Sequence, residues 1–200
     1  MASSFPNPRR LLVSNRSNGT TKDQAEPGVE ALVDTLEPVA VMPKLNRAPI
    51  ATHAAIPTSN AEAGRPHLDT VPGSGIVLPG GANIYYLDLT PHSDSPMRRI
   101  TPLTAPPDNH RTPSTDHVIV LRGELTVVTP PVAFDVVDGK GSYTKVGGDG
   151  CTGWRRGGPE GVLANRSEDS VRLIGIVLAA EPVKIEVAGE AKELGESWLQ

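Results

Sequence analysis

The 200-residue sequence has one cysteine, few aromatics, no excess of positive charge and no long apolar run. With Cys151 alone, no intramolecular disulfide can staple the fold, and the start Met1-Ala-Ser-Ser-Phe-Pro-Asn-Pro-Arg-Arg has no apolar stretch of the secretory kind. Together these predict a reducing, cytoplasmic setting. No segment approaches the roughly 20 apolar residues that cross a bilayer. A net charge of -4 and a pI near 5.7 leave no basic footprint for nucleic acid or an anionic membrane surface, so neither is an expected partner. The sequons at Asn15, Asn18 and Asn165 are then read as chance matches. Aromatics at 4% and apolar residues at 38% make a lean core, so much of the chain is expected in connections.

What the chain has in quantity is glycine and proline, 20 of each, and their distribution divides it. Residues 1–80 scatter Pro, Gly, Ser, Thr and Asn among short apolar runs and read as an N-terminal arm with loops packing on a domain. A short helix is expected over 29–35, where Val29, Ala31, Leu32, Val33 and Leu36 partly fit the helical period. From residue 81 the pattern becomes short runs of Val, Ile, Leu and Tyr separated by turn residues, the signature of a sandwich or barrel. Strands are predicted over 83–90, 117–129, 132–137, 142–146, 161–164, 171–179 and 183–187. Asp138-Gly139 and Gly147-Gly-Asp-Gly supply turn residues. A proline-rich connection separates the first two strands and is too long for a hairpin. The domain reading is one all-β unit over 81–188, with 189–200 as a C-terminal tail.

The segment His110-Arg-Thr-Pro-Ser-Thr-Asp-His-Val-Ile-Val-Leu-Arg-Gly-Glu124 closely resembles the first signature of fungal cupins, H-R-T-x-S-x-D-(Y/F)-x-V-V-L-x-G-E. Gly148-Asp-Gly-Cys-Thr-Gly-Trp-Arg-Arg-Gly-Gly-Pro-Glu-Gly-Val-Leu-Ala-Asn165 partly resembles the second. The resemblance spans roughly residues 81–185. It implies a single cupin barrel, a double-stranded β-helix or jelly roll, with an irregular N-terminal arm, and homodimers are common in that family. Against the family pattern, residues 98–109 look inserted and form a candidate lid.

A typical cupin binds a divalent ion through two histidines spaced H-x-H, a carboxylate, and a histidine from the second motif. Here those positions hold His110, Thr112, Asp116 and Gly161, two ligating side chains of four, whereas zinc and iron sites normally use three or four. No metal and no other cofactor is therefore expected, and His117 is no substitute, because neighbours on a strand face opposite ways.

Such cupins are commonly tailoring enzymes of fungal polyketide metabolism, acting by decarboxylation, dehydration, isomerisation or cyclisation. The resemblance thus implies a metal-independent enzyme acting on a small molecule. The catalytic candidates are His110 and Asp116, an acid/base pair, and Arg156, able to hold an anionic oxygen by a forked hydrogen bond. The substrate-binding candidates are Thr112, Arg155, Trp154, Tyr85 and Glu160. The rival reading is a cupin that binds a small molecule or serves as a scaffold without catalysis. An iron-dependent dioxygenase would need the missing ligands.

Overall fold

The computed structural model describes residues 5–15, 28–58, 77–95, 110–111, 113–129, 142–147, 152–156, 162–181, 183–187, 189–194 and 197–198; these contain strands and turns but no helix. The strand expected over 132–137, the Asp138-Gly139 turn and the 98–109 insertion lie outside them.

Among the described residues sixteen strands follow in order: β1 Arg9–Asn15, β2 Val29–Thr35, β3 Val39–Met42, β4 Leu45–His53, β5 Ala82–Leu89, β6 Ser93–Ser95, β7 His110–Arg111, β8 Ser114–Arg122, β9 Glu124–Thr129, β10 Ser142–Gly147, β11 Thr152–Arg156, β12 Val162–Asn165, β13 Val171–Ala179, β14 Val183–Val187, β15 Glu190–Leu194 and β16 Ser197–Trp198. One sheet runs β11-β8-β13-β5-β4-β3 and a second runs β10-β9-β12-β6. Leave out β7 and number the strands from β5 to β13 one to eight. The sheets then contain the orders 6-3-8-1 and 5-4-7-2, which is the jelly roll. Strand order alone therefore establishes the expected fold.

The turn from one sheet into the other occurs at Gly123, between β8 and β9. Its φ is +86°, and an added Cβ would stand 2.7 Å from the Ser170 carbonyl oxygen. This corner splits the predicted strand 117–129 in two.

The described part of residues 1–80 is more regular than expected. The segment 29–35 is not a helix: β2 pairs antiparallel with β1 along its whole length, from Arg9 opposite Thr35 to Asn15 opposite Val29. Seven residues rarely hold a helix unaided, whereas pairing gives each a cross-strand neighbour. β3 and β4 extend the larger sheet, with β4 bonded to β5 through a register shift between Pro49 and Ala51. The tail is also ordered in part: β15 pairs with β14, and β16 returns to β7.

The two sheets share one core. Leu45, Tyr85, Leu87, Leu89, Val120, Val171, Leu173 and Val177 come from the larger sheet and Leu125 from the smaller, with Val127 and Leu163 packed against them. On the outer face of the larger sheet Arg172 donates to both carboxylate oxygens of Asp88, at 2.6 and 2.7 Å, and to the Pro6 carbonyl at 2.7 Å. Its guanidinium lies 4.9 Å from the Phe5 ring centroid, so Phe5 and Pro6 are clasped to the sheet. Arg10 ties the β1–β2 ribbon down by donating to the Ile50 carbonyl at 2.6 Å and to Asp34.

Candidate functional site

Backbone pairing places residues in rows that run across the larger sheet, and a row shares one face. Three rows of the inner face carry the packed core. They are Leu45, Leu89 and Val171; then Leu87, Leu173 and Val120; then Tyr85, Gly175 and Val118. In the last of these the Tyr85 ring lies directly over Gly175, where a Cβ would stand 2.6 Å from the ring edge. This end of the barrel is closed by side chains.

The next row differs in kind. It reads Thr52, Asn83, Val177, Asp116, Arg155 across β4, β5, β13, β8 and β11. Asp116 is 7% exposed and Asn83 4%, and Thr52 and Ser114, two residues before Asp116, are also buried. Thr52 Oγ1 donates to Asn83 Oδ1 at 3.1 Å. The inner face thus passes from apolar at one end to polar at the other. His110 precedes β8 in the chain at the polar end, and β16 brings Trp198 opposite it.

The sequence-predicted residues sort by this register. Asp116 occupies the inner face, as its alternation with exposed His117 requires. Arg155 is its direct cross-strand partner. Arg156 pairs with Thr115 and Trp154 with His117, which are positions of the opposite face. By backbone alternation Arg155 falls in the row of Asp116 and Arg156 in the row of Thr115. Tyr85 is a member of the closed apolar end. His110 is placed by its backbone on β7, while Thr112 and Glu160 lie outside the described residues. Asn83 and Thr52 were not expected; what marks them is two polar residues paired side by side at buried positions.

The donor set does not fit the divalent ion that the cupin resemblance implies. Thr112 and Gly161 supply no strong ligand, and the neighbours of Asp116 in its row are Val177 and a cationic arginine. Among the described residues no three His, Cys, Asp or Glu side chains gather to hold a metal. Asn165, the asparagine of the second motif, serves the fold. Its amide donates to the Leu89 and Asp169 carbonyls at 3.2 and 2.7 Å and accepts from the backbone of Ser167 at 3.0 Å, which leaves that sequon buried.

No family model matches the chain, and no curated protein does. Several solved structures are similar to it. The Cupin_2 domain of an XRE family transcriptional regulator from Enterobacter cloacae is 17% identical, over 50% of this chain and 83% of that one, with a TM-score of 0.32. An oxalate oxidase is 15% identical, over 70% of this chain and 55% of that one, at 0.41. CapF, solved with 3-isopropenyl-tropolone, is 11% identical, over 80% of this chain and 34% of that one, at 0.44. The chain therefore spans about half the length of the oxidase and a third of CapF. These neighbours include enzymes and a regulator domain, and the fold itself rests on the strand order. Among the described residues no helix is long and apolar enough to cross a membrane.

Proposed function

We propose that the polar end of the barrel binds an oxygen-rich, largely apolar small molecule of polyketide type and transforms it by proton transfer without a metal. The observation that carries this reading is the buried Asp116 on the inner face with Arg155 at its cross-strand position. A cation beside a carboxylate in a partly dry interior suits an anionic oxygen, carboxylate or enolate, that must be held while a proton moves. In this reading Arg155 anchors that oxygen, Asp116 orients His110, and His110 gives or takes the proton. The bond changes open to such a site are decarboxylation, dehydration, isomerisation and ring closure, none of which needs a redox partner.

The test is turnover of a panel of phenolic and β-keto carboxylic acids, followed by mass spectrometry, with binding measured in parallel. Substitution His110→Ala is expected to lower turnover at least about a hundredfold while binding persists. Full activity in that variant overturns the proton-transfer role. Binding without turnover by the wild-type chain favours the non-catalytic rival.

A further inference from the structure

The β1–β2 ribbon carries its polar and apolar sides in the reverse of the usual order. Its register sets residues 9, 11, 13 and 15, with their partners 35, 33, 31 and 29, on one face, and residues 10, 12 and 14 with 34, 32 and 30 on the other. The second face meets the body of the protein. There Arg10 donates to the Ile50 carbonyl at 2.6 Å, and buried Ser14 donates to Glu30 at 3.3 Å. The first face looks outward, and it is the apolar one: Leu11 is 66% exposed, Val13 61%, Val29 64% and Val33 58%, with exposed Ala31 among them. A sheet with one face in water normally shows polar residues outside and apolar residues inside. The ribbon cannot turn over to hide this face on its own barrel without giving up the Arg10 bond to Ile50 and exposing Ser14. β1 and β2 also form a two-stranded sheet of their own, which is marginal in water unless its apolar face is covered.

We infer that this outward face is a self-association surface, covered in solution by the same face of a second copy of the chain. The surface does not depend on the small-molecule reading. Two features select a second copy as the occupant. The first is area: Leu11, Val13, Val29 and Val33 leave roughly 400 Å² of apolar surface in water, and one partner of a standard interface contributes about 450 Å² of it. The second is charge. Arg9, at one end, is the single charged residue of the face, so no charge pattern selects a partner of opposite sign and little repels an identical ribbon. A twofold axis crossing the strands between the Leu11–Val33 and Val13–Ala31 rows lays each row over the other row of the second copy. Leu11 then faces Val13, Val33 faces the smaller Ala31, and the two Arg9 residues stand at opposite ends. Two β faces pack in this way about 10 Å apart.

The experiment is sedimentation equilibrium of the full chain at micromolar concentrations, where a species of twice the 21.1 kDa chain mass is expected. Val33→Lys sets a cation into the apolar contact twice in each dimer and is expected to weaken association at least about a hundredfold. Leu11→Lys is the second variant should the first disturb folding, which a thermal melt reports. Ile56→Lys, at a position equally exposed but off the ribbon, is expected to leave the dimer intact. A monomeric wild type, an unchanged mass in both ribbon variants, or equal weakening by Ile56→Lys overturns the inference. Hydrogen exchange then separates the other occupants: protected β1–β2 amides in a monomer assign the cover to the chain itself, and unprotected ones assign the face to a different protein or to none.

Discussion

Two aspartate–arginine pairs lie across neighbouring strands of the larger sheet, Asp88 with Arg172 and Asp116 with Arg155, and they occupy opposite faces. The outer pair is closed upon itself. Arg172 uses its fork on Asp88 and a third donor on Pro6, and the Phe5 and Tyr86 rings lie within 6 Å of its guanidinium. The inner pair stands where the apolar filling of the barrel stops. Identical residue types in identical backbone register thus stand in different places: Arg172 and Asp88 beneath Phe5 and Pro6, and Asp116 on the inner face of the sheet.

The largest expected effect that separates the pairs is on stability. Arg172→Ala leaves Asp88 a buried carboxylate without its partner, and a loss of about 3–5 kcal/mol is expected in urea unfolding. The isosteric Asp116→Asn should leave the urea midpoint closer to wild type than Arg172→Ala does while removing most turnover; equal midpoints for the two variants would erase the distinction. Next in size, Gly175→Val drives a side chain into the Tyr85 ring and should cost about 1–3 kcal/mol, with a changed tyrosine signal in near-ultraviolet circular dichroism. Phe5→Ala removes the ring between Arg122 and Arg172 and should cost about 1 kcal/mol, measured by thermal melting, without altering ligand affinity.

The smallest effect concerns a third pair, exposed rather than buried. Hydrogen bonding from Arg10 holds the Asp34 carboxyl below its usual value of 3.8. A group whose folded pKa is depressed stabilises the fold above its unfolded pKa, and this contribution fades as pH falls through the folded value. Asp34→Asn should therefore flatten the stability profile slightly below about pH 4 and change nothing near neutrality.

How far the sequence could be read follows from the same physics. β13 and β14 match the predicted 171–179 and 183–187 because β13 is a dense apolar run and both strands are bounded by turn residues. β4 escaped notice because Pro49 lowers any strand reading. The sheet accommodates it at a register shift, where a missing N–H is tolerated. The helix expected over 29–35 failed because Val29, Ala31 and Val33 also alternate, and a partner strand decides between the two periods. The interior position of Asp116 was legible from its motif. Which of Arg155 and Arg156 shares its row was not, because that depends on the register of β11 against β8.

The strand order carries a consequence for synthesis. β5 and β8 are not neighbours; β13 lies between them and bonds to both. As the nascent chain leaves the ribosome, the halves of the larger sheet wait with bare edges until residues 171–179 emerge. Such late, long-range closure is slow and leaves those edges open to foreign strands, so yield in a heterologous host should depend more on chaperone supply and growth temperature than on codon choice.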